Sequence, residues 1–199
     1  MNRTSLLVLA AAFLCIIGAS AAESTEVPNS ISTDGRFTAR TEPSTDVADG
    51  RDYLLLYQKE SGTIFARLPI GGYASYPQDA EPANLQILWS PDSKHFALMI
   101  RVTKRTWQLK LFAVDKGVSE VKIPDLTDYA LKSLKKDSIF RWCRETPIEW
   151  VDPRRLRVKV TGDCGSTPDV KRYSGEVSLS ILDGTIVQTV PLTTQNEEG

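Results

Sequence analysis

A turn-and-strand unit recurs three times along the chain, and this recurrence constrains the fold more than any local propensity does. The first copy opens Ser32-Thr33-Asp34-Gly35-Arg36-Phe37-Thr38-Ala39. The second opens Trp89-Ser90-Pro91-Asp92-Ser93-Lys94-His95-Phe96-Ala97-Leu98, and the third Trp150-Val151-Asp152-Pro153-Arg154-Arg155-Leu156-Arg157-Val158. Each has a tight turn carrying Asp, then a basic residue, then an alternating strand. Pro91 presets φ for a type I turn, and Ser90 can bond back to the backbone. Asp34, Asp92 and Asp152 fall about 60 residues apart. Each copy then continues in one order. A second strand spans Tyr53–Tyr57, Trp107–Val114 and Glu176–Leu182. A glycine turn follows at Gly62, Gly117 and Gly184, and a third strand at Ile64–Pro69, Val118–Pro124 and Thr185–Pro191.

Within these strands the alternation has period two, the mark of half-buried strands. Leu109, Leu111 and Ala113 share one side, as do Val177, Leu179 and Ile181. Leu54-Leu55-Leu56 and Phe96 to Ile100 are apolar on both faces, as expected of strands packed between neighbouring sheets. Asp125 to Lys136 breaks the pattern. Leu126, Ala130 and Leu134 fall on one helical face, Asp125 or Thr127 can cap the N-terminus, and the late lysines suit the dipole. The expected fold is all-β: three antiparallel blade-like repeats, as a partial β-propeller or a sandwich, with one short helix. The β domain spans 32–192 with repeats at 32–70, 88–124 and 148–192. It follows a flexible leader at 23–31 and precedes a polar tail at 193–199.

The opening Trp89-Ser90-Pro91-Asp92-Ser93-Lys94, with its alternating strand, resembles the blade opening of TolB-type, WD40-like propeller repeats, a pattern shared with propellers of prolyl oligopeptidase-like enzymes. Asp34-Gly35-Arg36-Phe37 is a looser copy, and Trp150 with Asp152 is a degenerate one. The Trp-to-Asp separation differs by one residue between Trp89/Asp92 and Trp150/Asp152, a slip that would exchange strand faces. The resemblance implies a fold and leaves function open. Propellers close with roughly four to eight blades, so three repeats imply an open fragment, a ring completed by another chain, or a sandwich. In the peptidases the catalytic residues belong to a separate hydrolase domain, for which this chain has no room.

The N-terminus reads as a cleavable export signal over 1–22. Arg3 supplies the positive charge, Leu6 to Ile17 an apolar run, and Ala19, Ser20, Ala21 and Ala22 a small-residue cleavage site, with cleavage after Ala21 or Ala22. The run is short of the roughly 20 apolar residues that span a bilayer, so no transmembrane segment is expected after cleavage. The expected location is secreted or periplasmic. Cys15 leaves with the signal. Cys143 and Cys164 then stand in an oxidising compartment, where two cysteines favour a disulfide, worth on the order of 3 kcal/mol, over a metal site. With 24 Lys and Arg against 25 Asp and Glu, the chain lacks the basic excess expected of a nucleic-acid binder.

No cofactor is expected, and no catalytic motif is specific. His95 lies near Ser90, Asp92 and Ser93, but a Ser-His-Asp triad draws partners from separate parts of a fold, and no G-x-S-x-G elbow occurs. Arg155, Arg157 and Lys159 alternate with apolar residues and place three cations on one strand face. Arg101, Lys104 and Arg105 form a second cluster. Both suit an anionic partner, and a solvated strand face is the plainer explanation of the row. The loop from Gly71 to Pro82 carries Tyr73 and Tyr76, which either contact a partner or seal a sheet edge. The reading is a non-catalytic binding or scaffold module for an envelope or extracellular protein, with Tyr73, Tyr76, Arg155, Arg157 and Lys159 as contact candidates. Two alternatives stand beside it: a hydrolase with an unrecognised site, and a blade set that completes a larger propeller in a homo-oligomer.

Overall fold

In the computed structural model, which describes residues 24–43, 52–70, 85–134, 140–165 and 170–196, the repeated Asp does the same work in every copy. The carboxylates of Asp34, Asp92 and Asp152 accept the backbone N–H two residues on, from Arg36, Lys94 and Arg154 at 3.0, 3.1 and 2.8 Å. The carbonyls of those basic residues then accept from Lys59, Val114 and Ile181, which tie each turn to the far end of its repeat. In the first two copies Ser32 and Ser90 donate to the same Asp at 2.7 Å and accept the N–H of Phe37 and His95 at 2.9 Å. The residue after Asp takes a left-handed φ, +75° at Gly35 and +55° at Ser93, which glycine adopts without steric cost.

Each turn joins the first two strands of a four-stranded antiparallel meander. The first contains β1 (Thr25–Glu26), β2 (Phe37–Glu42), β3 (Tyr53–Gln58) and β4 (Ile64–Pro69). The second contains β5 (Leu85–Trp89), β6 (His95–Arg101), β7 (Trp107–Val114) and β8 (Val118–Val121). The third contains β9 (Phe140–Asp152), β10 (Arg155–Cys164), β11 (Lys171–Ser180) and β12 (Ile186–Asn196). The first meander is its own sheet, while the other two share one, joined where Trp107 of β7 pairs in parallel with Arg144 of β9. The chain is therefore all-β, with three antiparallel blade-like repeats and one helix among the described residues, α1 (Leu126–Ser133).

The middle meander is the central layer, because β6 is apolar on both faces. Phe96, Leu98 and Ile100 join Phe37, Leu54, Leu56, Trp89 and Phe112 in a core shared with the first meander. Ala97 faces the other way, with Leu109 and Leu111, into a core built from Leu156, Val158, Val160, Val177 and Leu179 of the third. Each fully buried side chain of this size contributes about 1.5–3 kcal/mol. The first joint also carries polar bonds: the Thr33 hydroxyl donates to the Ser90 carbonyl, the Asp34 N–H to the Ser93 hydroxyl, and Trp89 Nε1 to the Ser30 carbonyl, each at 2.9 Å. Helix α1 lies on the second core through Leu126 and Ala130, capped by Asp125, which accepts from Asp128 N at 2.8 Å.

Four sequence expectations change. The segment expected as a flexible leader instead supplies β1, paired with β2 at Thr25–Thr41 and Glu26–Arg40, and buries Val27 and Ser30. The tail expected at 193–199 begins inside β12, with Thr193 paired to Ser174 and Thr194 to Tyr173. The slip between Trp89/Asp92 and Trp150/Asp152 is absorbed by a register shift between Arg155 and Leu156, so Leu156 and Val158 stay in the core. The expected disulfide is not formed: Cys143 and Cys164 are both free and buried. Cys143 lies opposite Gly162 and Cys164 opposite Phe140, a diagonal arrangement of about 7–8 Å where a disulfide wants Cα atoms about 5.5–6 Å apart. Tyr173, opposite Gly162 on the other side, lays its phenol against that glycine. Residues 1–22 lie outside the described residues, among which no helix is long and apolar enough to cross a membrane.

Candidate functional site

Strand β9 separates two unlike environments because its side chains alternate. Trp142 and Arg144 point to one side, and Cys143 and Glu145 are buried on the other. On the Trp142 side, at the junction of the second and third meanders, lies a cavity of about 440 Å³. Register places Trp142, Asp163 and Arg172 in one row across β9, β10 and β11. Asp163 is buried in that row, accepting from Trp142 Nε1 at 2.5 Å and from Arg172 Nε at 3.4 Å. Its carboxylate thereby orients one indole and one guanidinium together.

The other wall is built around Trp107. The Arg144 guanidinium lies 4.4 Å from the centre of that indole and the Arg101 guanidinium 5.0 Å from it. Arg101 also clamps the β6–β7 loop, donating to the carbonyls of Thr103 at 3.1 Å and Lys104 at 2.6 Å. That loop sets Lys104 and Arg105 at the cavity's rim, and Arg141 and Val170 complete the lining. Among the described residues, five cationic side chains and one carboxylate line this space. Such a surface attracts carboxylates or phosphates and strengthens hydrogen bonds to them.

Behind β9, beneath α1, a second cavity of about 320 Å³ is lined by Glu145, Asp125, Thr127 and Cys143. Glu145 accepts from Leu109 N at 2.9 Å and from the Thr127 hydroxyl at 3.2 Å, tying β9 to β7 and to α1. Burial pushes its carboxyl above the ordinary range, outweighing those two hydrogen bonds. Burial likewise pushes the Cys143 thiol up to about 11, so it stays protonated and inert at neutral pH.

The expected site residues are dispersed. Arg155 pairs with Asp152 at 3.4 Å, and Arg157 with Glu149 at 3.1 Å and Glu176 at 3.6 Å. Lys159 stands opposite Glu176 in the ladder, so this row is interleaved with acids of its own sheet. Tyr73 and Tyr76 lie outside the described residues. The Ser90 hydroxyl is committed to Asp92 and to the backbone of His95, not to the imidazole. The His95 ring is tilted against Trp150 with centroids 6.2 Å apart, and burial lowers its pKa. Of the residues that do converge, Lys104 and Arg105 belong to a cluster visible in sequence. Arg141, Arg144 and Arg172 do not, because two strands, β9 and β11, bring them in. Their one local signal is the alternation of Trp142 and Arg144 beside a strand otherwise read only for its cysteine.

No protein-family model matches the sequence, and no curated protein matches it. Among solved structures, the chain is similar to an acylaminoacyl peptidase from Pyrococcus horikoshii, at 11% identity and a TM-score of 0.46 over 89% of this chain and 26% of that one. It is also similar to TolB from Acinetobacter baumannii, at 12% identity and a TM-score of 0.34 over 80% of this chain and 42% of that one. The chain thus spans less than half the length of either protein.

Proposed function

We propose that the chain is an exported, non-catalytic binding module whose blade-like repeats hold the Arg/Trp cavity rigid, and that this cavity takes an acidic segment of an envelope or extracellular protein. The observation that carries the reading is the convergence, among the described residues, of five cations and two indoles from the β6–β7 loop, β7, β9 and β11 on one space. Packed elements with paired backbones position such groups better than loops do. A binding role also agrees with the turn chemistry, which occupies Ser90 and Asp92 in structural bonds. Export rests on the N-terminal pattern of charge, apolar run and small residues.

The test is crosslinking of the tagged chain in its native envelope, with and without excess oligoglutamate, beside an Arg144→Glu variant. The expected result is one dominant protein, lost with the competitor and with the variant. Capture that ignores both, or capture of the chain's own copies alone, overturns the reading. N-terminal sequencing of the exported protein checks the other half: a start at Ala22 or Glu23 supports cleavage, and a start at Met1 overturns it.

A further inference from the structure

On the α1 side of β9 stands a buried carboxyl without a countercharge among the described residues. Glu145 is only 6% exposed, yet both of its hydrogen-bond partners are neutral, Leu109 N on β7 and the Thr127 hydroxyl on α1. Arg144, the cation next to it in the chain, faces the opposite side of β9 and lies against Trp107. Among the described residues, the cavity in front of Glu145 is lined by no Lys, Arg or His. Buried acids are ordinarily paired. This one borders a space of about 320 Å³, at the small end of the roughly 300–1,000 Å³ that ligand pockets span. Leu109, Ile123 and Leu126 give that space apolar walls, and Asp125 adds a second carboxylate that is exposed to solvent. Burial first, and the charge of Asp125 in addition, push the Glu145 carboxyl up, so an opposite charge brought alongside would favour its ionised form.

We infer that this cavity is a second binding site, and that it takes a primary ammonium group on a short apolar stem. An ammonium brings a full charge and three N–H donors, and a carboxylate offers about four acceptor positions. The bonds from Leu109 and Thr127 occupy two of these at Glu145, which leaves acceptors for the ligand. The same two bonds hold the carboxyl from two packed elements, so it is oriented before a ligand arrives. A charge-assisted bond formed there, largely shielded from water, is stronger than one at a surface. Both acids repel an anion and attract a cation. Among the described residues no three His, Cys, Asp or Glu side chains are grouped to hold a metal ion, which suits a cation held by hydrogen bonds rather than by coordination. The apolar walls take the stem. This site lies across β9 from the Arg/Trp cavity and prefers the opposite charge, so it stands apart from the reading of that cavity.

The experiment titrates the exported full-length chain with n-butylammonium, by calorimetry and by heteronuclear NMR that follows the Leu109 amide. Butan-1-ol keeps the stem without the charge, and tetramethylammonium keeps the charge without N–H donors. Butylammonium is expected to bind at least about tenfold tighter than either. It should shift the Leu109 amide, whose acceptor is the carboxylate that gains a partner. Glu145→Gln, which keeps acceptors for Leu109 and Thr127, should lower the affinity at least about tenfold, with the Leu109 amide of the free variant reporting that the fold is kept. Asp125→Asn, which remains a good helix cap, should lower it by up to about fivefold and keep the Leu109 response. A capped lysine, with its backbone blocked at both ends, distinguishes two sources of the group. Its entry supports a partner's lysine side chain as the occupant, and its exclusion supports a free amine. Equal affinity for butylammonium and butan-1-ol overturns the proposal. So does butylammonium binding that Glu145→Gln leaves unchanged, or that does not move the Leu109 amide.

Discussion

The indole nitrogen of Trp150 donates to the carbonyl of Leu88 at 3.0 Å, one meander along from the bond of Trp89 to Ser30 at 2.9 Å. Ser30 and Leu88 each stand two residues ahead of a turn serine, Ser32 and Ser90. Each meander is thus fastened to the one before it by a tryptophan that reaches back to an equivalent carbonyl. At the first joint the indole is also stacked against Phe37, with centroids 5.9 Å apart, and tilted against Phe96 at 5.0 Å.

Trp89→Phe keeps the ring packing and removes the donor, leaving the Ser30 carbonyl in a residue that is 1% exposed. The expected loss is about 1–3 kcal/mol, read as a lower urea midpoint with an unchanged m-value. Trp150→Phe should cost less, because Trp150 is only half buried. Equal effects would show that desolvation at the joint does not matter.

Glu145 should make stability fall as pH rises. Burial raises its carboxyl above the ordinary 4.5, so between 4.5 and the raised value the folded chain holds a proton that the unfolded chain has released. Where the native state binds more protons, unfolding free energy decreases with pH. Glu145→Gln should flatten this slope over pH 4–8 in urea titrations and match the wild type at the acid end. A steeper slope in the variant would contradict the burial argument.

Asp34 should act in the opposite sense. Burial pushes its carboxyl up, but the Arg36 N–H, the Ser32 hydroxyl and the Arg36 guanidinium outweigh this and hold it at about 2. Its contribution is complete above the ordinary 3.8 and lost as pH falls towards 2. Asp92, held low in a like turn, should behave similarly. The double variant Asp34→Asn, Asp92→Asn should be less stable near neutral pH and lose less on acidification, as followed by circular dichroism.

Gly162 is a packing requirement. A Cβ there would collide with the Trp142 carbonyl and the Tyr173 hydroxyl, so Gly162→Ala should destabilise by about 1–3 kcal/mol or more. The Tyr173 hydroxyl is buried without a hydrogen-bond partner among the described residues, so Tyr173→Phe should be neutral or stabilising by about 1 kcal/mol. In combination the Phe variant should recover part of the alanine's cost. No recovery would place the clash at the Trp142 carbonyl and the Tyr173 ring rather than at its hydroxyl.

Cys143 and Cys164 should both resist a thiol reagent in the native protein and both react once it is unfolded, without prior reduction. Burial and the raised thiol pKa of Cys143 predict this. A denatured chain that shows neither thiol until reduced would restore the disulfide.

The three repeats, their order of strands and their Asp turns were legible in the sequence, because turn chemistry and period-two alternation are local properties and each copy repeats them. Helix α1 was legible for the same reason, through Asp125 and the spacing of Leu126 and Ala130. Tertiary structure decided what depends on distant partners. The first strands β1 and β9 carry too little local signal to declare themselves, and pairing alone makes them strands. The row of Arg155, Arg157 and Lys159 looked like a site and is interleaved with acids from neighbouring strands. The site that did assemble draws Lys104 and Arg105 from a loop, Arg144 and Trp142 from β9 and Arg172 from β11. Linear order separates those residues, and only strand pairing, with the parallel contact of Trp107 and Arg144, sets them around one cavity.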